Sequence, residues 1–419
     1  MLASLKGFET CVQLLIRNGA DVNAKDQKCR SPIIFATSKD HIRIMELLLE
    51  ANCDPNVRDN QCRTPLIVAS SCGYSRCVEL LLRQPTIDIN ARDINFGATP
   101  LIFAALSGAN ECVRVLLSAI GSATELYQRD NHGRTASHVA CSRGHYNVLL
   151  MLLDAEEQVQ ESMKTTTDEL NQKMDAEKDS FVNIMDNYGA TAMSFAAINN
   201  AYDCIPILQD HGADVNKRDS GGRSPLLLAS AKGHTRCVDL LIQSGAHINL
   251  VDHLGHTPLM AASSSGHTDT VHLLLEHGAD IDCVDNSFRS TALMMASLDG
   301  HTGCVRTLLD YHASVHTFDV LGRSALLMAS SRGHTSALQL LLEAGCDVNC
   351  IEDSYGMTAL ILASNGGYTD CVNALLMYGA DISIKDHEGR EALQYARNDE
   401  IRTLINESES KYSRGFILK

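Results

Sequence analysis

The chain has 419 residues, too many for one ordinary hydrophobic core, so several domains or one extended array of repeats must account for it. Lys and Arg number 35 against 51 Asp and Glu, and the formal charge of -16 opposes phosphate backbones and anionic lipid headgroups, which argues against nucleic acid and membrane surfaces as partners. Apolar residues reach 45% with aromatics at 5% and no Trp, a profile of many small aliphatic cores; no apolar run approaches the roughly 20 residues of a spanning helix.

From the N-terminus, Met1-Leu2-Ala3-Ser4-Leu5-Lys6 leads straight into patterned sequence without the basic, apolar and cleavage segments of a secretory signal. The 15 Cys are odd in number and form no CxxC pair, so neither a disulfide framework nor a zinc ribbon is indicated. Reduced thiols in the cytoplasm, or also the nucleus, fit this usage.

A hydroxyl residue followed by Pro or Ala and an apolar residue recurs along the chain. It stands at Ser31-Pro32-Ile33, Thr64-Pro65-Leu66, Thr99-Pro100-Leu101, Thr135-Ala136-Ser137, Thr191-Ala192-Met193 and Ser224-Pro225-Leu226. It continues at Thr257-Pro258-Leu259, Thr291-Ala292-Leu293, Ser324-Ala325-Leu326 and Thr358-Ala359-Leu360, with Glu391-Ala392-Leu393 as a last variant. The intervals between second residues are 33, 35, 36, 56, 33, 33, 34, 33, 34 and 33, a period that marks stacked supersecondary units with one interruption.

The unit beginning at Ser224 shows the logic. Ser224 can cap a short helix whose first residue, Pro225, has no N–H to leave unpaired. Gly233 stops that helix, and His234-Thr235 opens a second one whose Val238, Leu240, Leu241 and Ile242 form an apolar stripe. Gly245 ends it, and an extended turn through Asn249 and Asp252 leads to Thr257-Pro258. With Gly255-His256-Thr257-Pro258-Leu259, Ala261-Ala262, Gly266-His267 and Leu273 to Ile281, the unit resembles the ankyrin repeat, and the resemblance spans Met1 to about Asn406. It implies an all-α ankyrin-repeat solenoid of about twelve helix-turn-helix units with hairpin-like loops. The chain departs from the family at the place two after the Pro, usually His. Only His138 fills it, while Ile34, Ile67, Leu227, Met260, Met294, Leu327 and Ile361 stand elsewhere, so burial is expected to replace hairpin-to-helix hydrogen bonding.

Four segments follow: repeats over 1–153 with the first truncated, an acidic polar insertion over 154–181, repeats with a polar cap over 182–406, and a tail over 407–419. The first unit leaves the Val12, Leu14 and Leu15 side uncapped, as in a piece of a longer parent. The insertion carries nine acids against three lysines and reads as a spacer, solvated or loosely helical, with Thr165, Thr166 and Thr167 as sites that a kinase could modify.

An Asp and an Arg stand four apart in seven loops: Asp26 and Arg30, Asp59 and Arg63, Asp130 and Arg134, Asp219 and Arg223, Asp285 and Arg289, Asp319 and Arg323, Asp386 and Arg390. The resemblance places these loops on the concave side with the ends of first helices, where Lys39, Arg143, Lys232 and Arg332 fall. Two readings stand side by side: a basic stripe that selects an acidic protein face, and internal Asp–Arg pairs that only hold the loops. Tyr188, Phe288, Leu321 and Tyr355 at loop tips are candidate anchors. Cys11, Cys77, Cys112, Cys204, Cys237, Cys304 and Cys371 share one helical place and read as small buried hydrophobes. His145, His234, His267, His301 and His334 come one per layer, too few for a metal site. Asn23, Asn56, Asn90, Asn216, Asn249 and Asn349 each follow a Leu by eight residues at a turn, and the resemblance implies that an asparaginyl hydroxylase could act on them.

No phosphate loop, HExxH, GxSxG or strand-borne GxGxxG occurs, so no catalytic residue, cofactor or small-molecule substrate is expected. The reading is a non-catalytic scaffold or adaptor that binds a protein partner along its concave face. The repeated Cys-Val and Gly-His are similar to the regulatory ankyrin-repeat subunits of protein phosphatase 6, which would imply a phosphatase complex. The alternatives are the cytosolic ankyrin domain of a channel or signalling protein, and a ubiquitin-ligase substrate adaptor.

Overall fold

The unit Thr64 to Leu82 shows why these residues form paired helices. In the computed structural model, which describes residues 1–120, 123–164 and 181–413, Thr64 adopts an extended conformation and its Oγ1 accepts the Ile67 N–H at 3.3 Å. Pro65 then opens the helix Pro65–Cys72, and Gly73, at φ +76°, ends it in the left-handed region that a side chain disfavours. Every residue from Pro65 to Ser70 is buried, so the sequence is apolar all round instead of striped. The following helix Ser75–Leu82 buries only Cys77, Val78 and Leu81 and presents its other face to solvent.

This pair recurs twelve times among the described residues, from Leu2–Lys6 with Glu9–Arg17 to Ala392–Tyr395 with Asp399–Ser413. No strand occurs among them, only an isolated bridge between Ile351 and Thr358. The chain divides into two compact units, Met1–Ser220 and Gly221–Lys419. Within each, first helices pack on first helices of the next layer and second helices on second helices: Pro65–Cys72 lies against Pro100–Ser107, and Ser75–Leu82 against Asn110–Ala119. The fold is the ankyrin-repeat solenoid that the sequence implied.

The place two after the Pro behaves as expected. Ile34, Ile67, Leu227, Met260, Met294, Leu327 and Ile361 are all buried. His138 keeps polar contacts there, with Thr135 at 2.8 Å and the Ala190 carbonyl at 3.2 Å, and so do Ser194, 3.4 Å from the Thr191 hydroxyl, and Gln394, which accepts the Glu391 N–H at 2.8 Å. At the first unit, Leu14 and Leu15 are exposed but Val12 is buried, because Leu2–Lys6 supplies that layer with a first helix of its own.

The segment 154–181 starts as helix, since Tyr146–Lys164 continues the second helix of its layer without a break. Glu156 is buried there and accepts the Phe181 N–H at 2.9 Å, while the Phe181 ring sits 5.1 Å from that of Tyr127. Thr165, Thr166 and Thr167 lie outside the described residues.

Candidate functional site

Each loop between layers is organised by one carboxylate. Asp59 Oδ1 accepts the N–H groups of Gln61 and Arg63, both at 2.9 Å, and Oδ2 accepts Arg63 Nε at 2.9 Å and Nη2 at 2.7 Å. The same pair forms within its own loop at Arg30–Asp26, Arg134–Asp130 and Arg323–Asp319, each 2.7 Å, and at Arg390–Asp386, 3.2 Å. The Asp386 carboxyl is held down to about 2; burial opposes this, and hydrogen bonds from Tyr395 and Arg390 outweigh it. Arg134 and Arg323 are therefore committed to loop carboxylates. Of the two meanings given to the Asp–Arg pattern, the geometry of these five pairs matches loops held from within.

Loop is joined to loop by backbone. The Asn60 N–H reaches the Lys28 carbonyl at 2.9 Å, Ile94 reaches Gln61 at 3.0 Å, Asn131 reaches Phe96 at 2.8 Å, Asn187 reaches His132 at 2.9 Å and Ser220 reaches Tyr188 at 2.9 Å. In the second unit the links run His253 to Gly221 at 3.1 Å, Asn286 to Leu254 at 2.9 Å, Val320 to Phe288 at 2.8 Å, Asp353 to Leu321 at 2.9 Å and His387 to Tyr355 at 2.8 Å. Each acceptor in this series is the residue at a loop tip. Except at Gly221, a side chain stands at that position, and the backbone makes the link.

The four predicted anchors are all tip residues, with Tyr188 in the first unit and Phe288, Leu321 and Tyr355 in the second. Sequence reasoning missed Leu254, which holds the same register one layer before Phe288. Its position two after Asp252 was the available signal. In the second unit Leu254, Phe288, Leu321 and Tyr355 thus fill four consecutive layers, and they are 54%, 50%, 36% and 64% exposed. The Arg323 guanidinium lies 5.9 Å from the centre of the Phe288 ring and braces it.

Arg289 departs from the expected pairing. Thr291 stands six places after Asp285, one more than in the paired loops, so Asp285 N–H bonds to the Ser290 carbonyl at 3.1 Å and Arg289 falls one place out of register. Arg289 sits at φ +59°, where Gly356 (φ 72°) and Gly97 (φ 63°) stand in the other six-residue loops, and its side chain has no carboxylate partner among the described residues. Arg143, Lys232 and Arg332 are exposed at the ends of first helices and likewise have none. Arg223 is exposed just before the cap Ser224.

Histidines at second-helix starts are structural: Nε2 of His267, His301 and His334 lies 3.3, 3.1 and 3.1 Å from the carbonyls of Ala231, Ser264 and Leu298 in the preceding layers. The cysteine register is buried at Cys77, Cys112, Cys204, Cys237, Cys304 and Cys371, with Cys11 exposed in the first layer. Burial pushes the Cys112 thiol up to about 11, with the Glu111 charge adding to it, so the thiolate nucleophile is suppressed.

The asparagines tie turns together. Oδ1 of Asn23, Asn56, Asn249 and Asn349 accepts the N–H of Asp54 (2.8 Å), Asp88 (2.8 Å), Asp280 (3.0 Å) and Asp381 (2.8 Å) in the next layers. Asn90 Nδ2 lies 3.4 Å from Glu125, and the Asn216 N–H donates to Asp214 at 2.9 Å. Asn183 plays the same linking part toward Asp214, at 2.8 Å; no Leu stands eight residues before it, so the spacing rule passed it by.

Among the described residues no helix is long and apolar enough to cross a membrane. The ankyrin domain of human ASB11, in its crystal structure, is 25% identical, with a TM-score of 0.48 over 52% of this chain and 98% of that one. No curated protein matches the chain at a significant level. The family model for ankyrin repeats in sets of three copies matches residues 1–93, 87–163, 170–252, 196–285, 226–319, 259–352 and 293–386. With that model covering nearly the whole array and twelve helix pairs in register among the described residues, the chain belongs to the ankyrin-repeat family.

Proposed function

We propose that this chain is a non-catalytic scaffold or adaptor that docks a protein partner on its loop tips and on the ends of its first helices. One observation carries the reading: four consecutive layers of the second unit expose Leu254, Phe288, Leu321 and Tyr355, where a chain serving only its own stability would place polar side chains. Aromatic anchors of this kind dominate binding energies, and Lys232 and Arg332 in the same unit, which have no carboxylate partner among the described residues, supply selection by charge, as Arg143 does in the first unit. Arg134, Arg223 and Arg323 take a lesser part, since at least Arg134 and Arg323 are already neutralised by their own loops.

A phosphatase complex, a channel's cytosolic domain and a ubiquitin ligase remain the finer forms of this reading. The Cys-Val place that resembles the phosphatase 6 subunits is core packing, and its buried thiols favour no one of the three. Crosslinking mass spectrometry on cells expressing the chain tests the surface. Phe288→Ser with Tyr355→Ser, and separately Lys232→Glu with Arg332→Glu, are expected to remove the same crosslinked partners. A partner set untouched by both variants would discard this surface.

A further inference from the structure

The file of apolar tips in the second unit has a spacing as well as a composition. Layers packed helix to helix stand about 8–10 Å apart, so Leu254, Phe288, Leu321 and Tyr355 mark a line of three intervals, about 24–30 Å long. A polyproline II segment rises about 3.1 Å per residue with three residues per turn, and so presents every third side chain on one face at about 9.3 Å. Ten residues of it match four tips with no change of register. A β-strand repeats its face at about 6.6–6.8 Å and drifts away from the layers after one step. An amphipathic helix needs an apolar stripe some 100° wide, but the file is widened at one place only, by Val320, which is 51% exposed, and its other flanking residues in the linking series are His253, Asn286, Asp353 and His387.

Charge narrows the ligand further. Arg289 lies immediately after Phe288, is exposed and has no carboxylate partner among the described residues, in a chain that carries -16 overall. It also holds the left-handed conformation that the corresponding loops give to Gly97 and Gly356. A non-glycine residue there costs stability, as Cys29 and Cys62 also do in their own loops, and at Arg289 the residue that carries this cost is a cation beside the Phe288 tip.

Resting on the docking surface proposed above, we infer that the second unit binds a proline-rich segment in the polyproline II conformation, one proline face on Leu254, Phe288, Leu321 and Tyr355 and an acidic side chain on Arg289. Binding is noncovalent, and the stiffness of the ligand limits the entropy lost on docking.

The test uses the full chain and fluorescein-labelled four-triplet peptides, Pro-Pro-Glu, Pro-Pro-Lys and Gly-Gly-Glu, followed by anisotropy. The Pro-Pro-Glu peptide is expected to bind saturably, about five-fold or more tighter than Pro-Pro-Lys and tighter again than Gly-Gly-Glu, which has the charge without the preformed helix. Phe288→Ala and Tyr355→Ala each weaken it about ten-fold, equivalent to about 1.4 kcal/mol. Arg289→Gly abolishes the preference for Glu over Lys and at the same time raises the urea midpoint of unfolding, a pairing that a merely structural arginine would not give. No binding of Pro-Pro-Glu, equal binding of Gly-Gly-Glu, or binding indifferent to Phe288→Ala and Tyr355→Ala overturns the inference. If the crosslinked partners vanish in the Phe288→Ser, Tyr355→Ser chain while Pro-Pro-Glu fails to bind, the docking surface stands and its polyproline ligand falls.

Discussion

His138 is the one residue of its register that the family pattern would have named from sequence, and its chemistry sets a pH limit on the first unit. Burial drives its imidazole down from 6.5 to about 4, with the Ala190 carbonyl bond opposing, so the folded chain holds it neutral. In this window the unfolded chain binds the proton that the folded chain refuses. The stability it contributes is thus fully present above about 6.5 and is lost as pH falls toward 4, by up to about 3 kcal/mol for a shift of this size. Urea denaturation of the first unit at pH 7.0 and 4.5 checks this. The wild type is expected to lose more stability between the two than His138→Leu, which copies the Leu found at position 227. An equal loss in both would show that the imidazole is not responsible.

At the scale of one helix pair, the sequence made nearly everything legible. Thr or Ser at the cap, Pro or Ala after it and Gly at the end each have a local physical cause, and they fell where the structure places the helix ends. What sequence could not supply was contact between layers, as a pair of glycines shows. Gly233 and Gly245 both have positive φ, 68° and 87°, but a Cβ on Gly233 would lie 2.4 Å from the His267 ring of the next layer, while one on Gly245 meets nothing within 4 Å. Gly245→Ala should therefore cost about 1 kcal/mol for the backbone alone. Gly233→Ala must also displace a ring whose Nε2 holds the Ala231 carbonyl, and its cost should be clearly greater in thermal unfolding. Equal costs would mean that the ring moves freely. The Asp–Arg pattern failed at Arg289 for a related reason, because a fixed offset of four cannot see that one inserted residue returns the pairing position to Ser290.

Across the whole array, stability is a sum over layers and their interfaces, so one register position carries different energies in different layers. Leu15 and Leu81 occupy equivalent places in second helices, yet Leu15 is 51% exposed and Leu81 is fully buried between its neighbours. Leu81→Ala is expected to cost about 2–5 kcal/mol and Leu15→Ala less than about 1 kcal/mol, measured as chemical denaturation of the full chain. The sequence already left the Leu15 side uncapped, because it is the first in the series; periodicity by itself reports which face of a helix is apolar and not whether a layer lies against it. The tips are the complementary case. The sequence marked Phe288, Leu321 and Tyr355 at loop tips but passed over Leu254, and the four form a row only where their loops are tied edge to edge by backbone bonds. Because those ties use main-chain atoms, substituting the four tips should leave layer stacking intact. Combining Leu254→Ser, Phe288→Ser, Leu321→Ser and Tyr355→Ser is therefore expected to shift the urea midpoint far less than Leu81→Ala alone while abolishing partner crosslinks. A large loss of stability in the quadruple variant would instead make the row a part of the core.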